Sequence, residues 1–339
     1  MLETNTQPTR SEGAFSEANR DVLARYWHAV AFSSELGDEP LGVVLLDIPL
    51  VLYRIDGRPA AALDRCPHRG ARLSDGWIDG SNLICPYHGL HFDREGRCTR
   101  VPAAPEARIP ESLQLQSVAC QEANKLIWIC LSSEADAPPP EWAWLDDQAA
   151  QYYALPALDC RAAATRFCEN FNDVVHFSWV HRGTFGLSDS TNFTPYEVDE
   201  RENGLSHEII YRQVDRLSFA GDDDSRTDAR YRYDFTLPFA NHMQIDFGPG
   251  RRQHIGAVAS PVSATRSRVF FQFTRTYDMD QPIEEAIAFE SAVFAEDAAV
   301  LESLSPTTSP LDPRQEAYVT GDRWTATYRK RLSEMGLSD

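Results

Sequence analysis

The chain of 339 residues has no uninterrupted run of 18 or more apolar residues, the length a helix needs to cross a bilayer. Its most apolar stretch, Leu41 to Tyr53, is cut by Asp47 and Pro49 and reads as two strands. The segment 1–19 is polar and lacks the apolar core of a secretory signal, so it is expected to be a loose tail on a cytoplasmic protein. Positive charge is also scarce. With 32 Lys and Arg against 51 Asp and Glu, the net charge is −19, which argues against nucleic acid or an anionic membrane surface as partner. The seven cysteines are an odd number, which with no secretory signal argues against a disulfide framework. Cys98, Cys120, Cys130, Cys160 and Cys168 have no His or Cys at ligand spacing and read as ordinary thiols. No internal repeat, flavin motif or nicotinamide motif is present, so redox chemistry here would need an outside electron donor.

Composition is ordinary for a globular chain, 42% hydrophobic and 24% charged, and the length suffices for two cores. From Gly42 to about Leu131, short β-rich runs alternate with turns: Val43 to Asp47, Leu50 to Ile55, Ala60 to Asp64, Leu83 to Cys85, His91 to Asp93 and Leu126 to Leu131. Pro49, Asp56-Gly57 and Glu95-Gly96 separate them. This predicts a small all-β domain over 20–135. Ser132 to Pro140, with three consecutive prolines, reads as a linker. Over 136–339 the pattern becomes α+β. A helix is expected from Arg166 to Val180 and a longer one from Pro282 to Leu304, with Pro282 in its first turn. Between them lie β-like runs at Gly204 to Tyr211, Ala229 to Leu237, Met243 to Asp246 and Arg268 to Thr276. Charge is uneven: Arg54 to Arg108 holds nine Arg, no Lys and seven acids, a cationic window suited to docking an acidic partner.

Two loops carry the first chemical signal. Cys66-Pro67-His68 and Cys85-Pro86-Tyr87-His88 stand 16 residues apart. A Cys₂His₂ set also suits structural zinc, but zinc fingers pair Cys with Cys and His with His within an arm. Here each arm mixes one Cys with one His. That suits a [2Fe–2S] cluster with Cys66 and Cys85 on one iron and His68 and His88 on the other, a ligand set that raises the reduction potential. The strings Cys-Pro-His-Arg-Gly (66–70) and Cys-Pro-Tyr-His-Gly (85–89) closely resemble the Rieske family. Respiratory Rieske proteins carry an extra Cys in each loop, where this chain has Ala71 and Tyr87. The departure points to the oxygenase and ferredoxin branch.

The second signal is Glu169 to His181, with His176 and His181 and a nearby acid in an otherwise apolar run. The five-residue spacing is not that of a zinc-protease helix. Asn170, Asp173, His176 and His181 match the Asn-x-x-Asp-x-x-His-x-x-x-x-His pattern of Rieske non-haem iron oxygenase catalytic subunits, which this chain resembles from about residue 20 onward. Mononuclear Fe(II) that activates O₂ takes two His, one carboxylate and open positions. Asp297 fits the carboxylate: Val293, Phe294, Val300 and Leu301 place it on an apolar helix face, where an uncompensated acid would be costly. Glu296 and Glu290 fit less well. The segment 294–303 also looks like the family's third-ligand segment. Trp27-His28, Thr184-Phe185 and Tyr328-Arg329-Lys330 resemble segments of methylxanthine N-demethylase oxygenases, and the C-terminal segment also resembles saxitoxin-pathway hydroxylases.

The resemblance implies a Rieske β domain followed by a helix-grip catalytic domain, an antiparallel sheet enclosing the substrate cavity. It implies a homotrimer, in which Asp173 bridges His176 to His88 of a neighbouring subunit. It further implies a monooxygenase that hydroxylates or demethylates a small aromatic or N-heterocyclic molecule, with O₂ as co-substrate. Electrons would come from NAD(P)H through a separate reductase, with or without a ferredoxin. Aromatic-ring cis-dihydroxylation uses the same metals and stays open. A Rieske electron carrier is the rival from another class, but it needs neither the second motif nor the residues beyond the linker. Phe, Trp and Asn residues between 205 and 295 are expected to line the pocket.

Overall fold

A computed structural model describes residues 13–215 and 225–339. The N-terminal half is an antiparallel sheet of six strands in the spatial order His28–Phe32, Leu126–Cys130, Ser117–Ala123, Arg58–Leu63, Ile48–Ile55 and Leu41–Leu45. The hairpin at Asp56-Gly57 forms as its sequence demands, with φ of 51° and 73°. Pro49 does not break the chain. It lies inside a strand, and the reversal falls at Leu46-Asp47, both at positive φ. A smaller sheet, Trp77–Asp79, Asn82–Ile84, His91–Phe92 and Cys98–Arg100, carries the two Cys/His loops on its flank. Between the two sheets sits a core of Val51, Tyr53, Leu73, Leu83 and Phe92.

The C-terminal half is built on one large antiparallel sheet. Gln151–Ala154 and Leu158–Cys160 both pair with Arg266–Arg275, which is followed by Arg252–Ser263, Ala240–Asp246, Arg226–Thr236, Gly204–Val214 and Asp199–Arg201. The strand Arg226–Thr236 shows why its register is fixed. Ala229, Tyr231, Tyr233 and Phe235 face inward, whereas Arg230, Arg232 and Asp234 face out and pair across strands with Glu208 and Arg201. The central strand Arg252–Ser263 has no such alternation in sequence, because both of its faces are covered. At Gly256 a Cβ would sit 2.8 Å from the Trp142 ring, so only glycine lets that ring close down on the sheet.

Five α-helices complete the described fold: α1 (Glu17–Leu23), α2 (Ala164–Asn172), α3 (Phe177–Val180), α4 (Ile283–Leu301) and α5 (Arg323–Glu334). The single helix expected over Arg166 to Val180 is in fact two. Asp173 leaves α2 in an extended conformation with ψ 127°, and its Oδ1 accepts the Val175 N–H, a local bond that competes with the helix. Pro282 is the residue before α4 and not part of its first turn.

The expected tail over 1–19 is hydrogen-bonded to the rest of the fold in its described part. Residues 1–12 lie outside the described residues, but Ala264 donates to the Gly13 carbonyl and Asn19 exchanges hydrogen bonds with Ser338. The proline stretch is also held: Asp136 N–H bonds to Arg25 O, and Pro140 O accepts from Asn124. One apolar cluster runs without a gap from Leu45, Leu50 and Ile129 of the six-stranded sheet to Phe167, Tyr231 and Trp324 of the C-terminal half. No helix among the described residues is long and apolar enough to cross a membrane.

Candidate functional site

The two Cys/His loops are near copies of each other. Cys66 N–H bonds to Ala71 O and Gly70 N–H to Cys66 O; Cys85 N–H bonds to Leu90 O and Gly89 N–H to Cys85 O. Each turn closes through a glycine at positive φ, 76° at Gly70 and 66° at Gly89. Cys66 and Cys85 are buried, and His68 and His88 are exposed with their Nδ1 atoms 3.2 Å apart. The thiols touch: the contact with Cys85, helped by burial, raises Cys66, and the same contact lowers Cys85. Two sulfurs below and two imidazole nitrogens above, each pair converging, is a donor set that fits a two-iron cluster with its histidine edge at the surface. Tyr87 lies exposed with its ring 3.9 Å from that of His88.

A second convergence lies where α2, α3 and α4 meet. His176 Nε2 and His181 Nε2 are 3.1 Å apart, and each is 3.4 Å from Asp297 Oδ1. The break after α2 makes this possible, since it swings His176 to the start of α3 and leaves His181 just past its end. These three residues form a candidate metal site. Two ring nitrogens aimed at each other and at one carboxylate oxygen fit a divalent ion of the two-His, one-carboxylate type.

Each of the three is oriented from behind. Glu296 Oε2 accepts from His181 Nδ1 at 3.0 Å and from the Thr184 hydroxyl at 2.7 Å. Asn170 Nδ2 donates to Asp297 Oδ1 at 3.2 Å. Asp173 Oδ2 faces His176 Nδ1 at 3.5 Å, and that nitrogen has no closer partner. Burial alone would lower the His176 pKa, but the Asp173 carboxylate, joined by Asp297, outweighs it and holds the imidazole above its ordinary value. At His181 burial prevails and lowers the pKa despite Asp297 and Glu296. Burial likewise raises Asp297 against the opposing pull of the two histidines.

Sequence reasoning weighed Glu296 only as a weak ligand and missed its contact with His181. The signal available was its place beside Asp297, one step of about 100° around α4. Glu290, the other weak candidate, lies two turns away in the substrate-sized cavity that opens on the three donors. That cavity runs between the large sheet and α4. Phe247, Phe271, Phe273, Phe289 and Phe294 line it, as expected of phenylalanines in this region. The expected Trp cannot contribute, because the sequence holds none between 205 and 295, and Asn241, the one Asn there, is not part of the lining; Gln213, Tyr231, Gln253, Arg275, Tyr277 and Glu290 take the polar positions. Phe219 lies outside the described residues.

An all-β unit with mixed Cys/His loops, joined to a sheet-and-helix unit with a buried histidine–carboxylate site, defines the class as an iron–sulfur oxidoreductase with a second metal centre. Residues 26–119 match the family model of the Rieske [2Fe-2S] domain, and 160–337 match the vanillate O-demethylase oxygenase C-terminal domain. The chain is 32% identical over 333 residues to methylxanthine N1-demethylase NdmA of Pseudomonas putida, covering 96% of this chain and 92% of that protein. It is 29% identical to methylxanthine N3-demethylase NdmB of the same species, covering 94% and 91%. Its fold superposes on the structure of Pseudomonas putida CBB5 NdmA with caffeine at a TM-score of 0.85, with 30% identity over 94% of this chain and 92% of that one. The chain therefore belongs to the Rieske non-haem iron oxygenases, as a catalytic (alpha) subunit. It is an oxidoreductase of monooxygenase type whose cofactors are a Rieske [2Fe–2S] cluster and a mononuclear iron, with O₂ as co-substrate. It takes electrons from a partner protein and acts on a small molecule. The electron-carrier alternative falls with the match over 160–337.

Proposed function

We propose that this enzyme hydroxylates or oxidatively demethylates a small aromatic or N-heterocyclic substrate with electrons from NAD(P)H, delivered by a separate reductase with or without a ferredoxin. The observation that carries the reading is the aromatic-walled cavity ending on His176, His181 and Asp297. One oxygen atom of O₂ enters a substrate C–H bond and the other leaves as water, the two further electrons coming from the nicotinamide. Where the carbon is a methyl on N or O, the hydroxymethyl product collapses to formaldehyde and the demethylated compound.

In this reading Cys66, Cys85, His68 and His88 hold the cluster, and His176, His181 and Asp297 hold the iron. Bound there, the two centres supply the electrons and the site at which O₂ is reduced. The remaining residues act on geometry. Asn170 fixes the Asp297 carboxylate, Glu296 and Asp173 fix the two imidazoles, and the phenylalanine walls exclude water from the reacting carbon. The chain divides at about residue 135 into a cluster-bearing unit and a catalytic unit and works in the cytoplasm. It assembles as a homotrimer in which Asp173 links His176 to His88 of the adjacent copy; Asp173 is part-exposed beside an open recess lined by Val180 and Tyr318, as such a contact requires. Arg69 and Arg72, exposed on the cluster loop, receive the donor. The test is to supply a generic reductase, screen N- and O-methylated aromatic compounds and measure products. Formaldehyde equal to the O₂ consumed is expected. A cis-diol with no formaldehyde would replace this reading by ring dihydroxylation.

A further inference from the structure

The cavity holds a buried acid that metal binding does not require. Glu290 and Asp297 are seven residues apart on α4, hence nearly on one face and about 10 Å apart along the axis. Both line the same cavity, with Val293 and Phe294 between them. Glu290 is buried, and among the described residues no ion pair joins it to a cation. Its Oε1 accepts from Gln253 Nε2 at 2.6 Å and from the Tyr153 hydroxyl at 3.3 Å. The Tyr277 hydroxyl donates to Gln253 Oε1 at 3.1 Å, which turns the Gln253 amide so that its donor end faces Glu290. Neither of these bonds uses Oε2.

Arg275 is the cation facing this region, and it is committed elsewhere. It donates to Gln151 Oε1 at 2.9 Å and packs over the Tyr153 ring at 5.7 Å. A carboxyl group enclosed by phenylalanines without a cation is costly. Burial pushes its pKa up to about 7, against the opposing hydrogen bonds of Gln253 and Tyr153 and the charge of Arg275. A fold that keeps such a group aimed into a substrate cavity is arranged for a ligand that supplies the missing donor.

We propose that Glu290 is the specificity-determining residue of this cavity: its Oε2 accepts a hydrogen bond from an N–H of a flat nitrogen heterocycle whose opposite edge lies at His176, His181 and Asp297. This rests on the monooxygenase reading above and names its substrate class. Ligands of equal size are then sorted by one atom. An analogue whose N–H is replaced by N–CH₃ leaves the carboxylate unpaired, and a site built around a hydrogen bond rejects such a ligand strongly. An aromatic acid places a second negative charge beside Glu290, and Arg275, the cation in the described lining, already donates to Gln151 and to the Gln281 carbonyl.

The experiment uses the full-length, metal-loaded protein at about pH 8, where the chosen heterocycles are uncharged and the carboxyl is mostly ionised. Binding of benzimidazole, 1-methylbenzimidazole and benzoate is measured by calorimetry, without turnover. Benzimidazole is expected to bind about tenfold more tightly than either of the others. Glu290→Met should bring it to the level of 1-methylbenzimidazole. Glu290→Gln, which keeps an acceptor and loses the charge, should narrow the gap to about threefold. Benzimidazole binding no tighter than benzoate, or a preference that survives Glu290→Met, overturns the assignment. If Glu290→Met does not fold, an unchanged gap in Glu290→Gln overturns it instead. The two readings fail differently. Absence of formaldehyde with the binding preference intact removes demethylation alone, whereas formaldehyde release without the preference removes Glu290 alone.

Discussion

Asp173 and Asp297 both face His176, but from opposite ends of its ring, at Nδ1 and Nε2 respectively. The two substitutions should therefore differ. Asp173→Asn keeps the Oδ1 that accepts from Val175 and replaces the oxygen facing the imidazole by an amide. Iron content is expected to stay normal while single-turnover oxygenation falls on the order of 10–100-fold, the usual effect of losing a ligand's orienting partner. Asp297→Ala removes a donor atom, so the mononuclear iron itself should be lost while cluster absorption remains. Iron analysis beside rapid-quench product measurement separates the roles. Loss of iron in Asp173→Asn would make Asp173 a ligand, and undiminished turnover would reduce it to a structural acid.

At the scale of elements, the turn between α2 and α3 shapes the site. Had the helix run straight, Asp173 would lie about 60° from His176 on one cylinder. The break instead brings it to the ring through an extended residue. What anchors α2 on the other side is a buried ionic network. Arg329 of α5 pairs with Glu169 of α2 at 2.6 Å and with Glu316 at 2.8 Å, and Arg166 joins the same acids. Arg329→Met would strand Glu169 with one partner instead of two, and loss of a partner in a buried pair typically costs about 3–5 kcal/mol. Chemical denaturation should show that loss, and Asn170, on the same helix, should release its hold on Asp297. The network also has a pH signature. Burial would raise the Glu316 pKa, but Arg166 and Arg329 outweigh it and hold it below the ordinary value. Its contribution to stability is thus present above the unfolded-state pKa and is lost as pH falls through the lower folded value. Unfolding midpoints of the natural protein and Arg329→Met are expected to converge as the medium is made acidic.

For the whole molecule, the continuous core sets what a cluster mutation can do. The loops that carry Cys66 and Cys85 rest on their own small core, beside the cluster of side chains that unites the six-stranded and large sheets. Cys66→Ser should abolish the visible absorption of the [2Fe–2S] centre and loosen the small sheet, leaving the main unfolding transition of the C-terminal half in place. Broad loss of far-ultraviolet dichroism would show that the cluster holds the entire chain together. Charge acts at the same scale. In a protein of net charge −19, Arg69 is exposed beside His68. Arg69→Glu should slow reduction by the partner and flatten its dependence on salt, since steering by charge is screened over about 10 Å at 0.1 M. Stopped-flow rates that do not change at low ionic strength would move the docking face elsewhere.

The amino-acid sequence by itself determined the chemistry that depends on short spacing. Cys66, His68, Cys85 and His88, the proposed cluster ligands, can be singled out in the sequence because each Cys stands within a few residues of its His, with the turn residues beside them. The same holds for His176 and His181, for the alternating strand Arg226–Thr236, and for Asp297 on the apolar side of a long helix. Only tertiary structure decided the rest. The strand Arg252–Ser263 was hidden because covering both faces erases alternation. The break at Asp173 depends on one side-chain bond to the backbone that periodicity does not record. Glu296 behind His181, and Gln253, Tyr153 and Tyr277 around Glu290, come from segments separated in the chain, 137 residues apart for Tyr153 and Glu290. Their meeting follows from the pairing of strands and the seating of α4, where burial strengthens every polar contact and makes an unpaired acid costly.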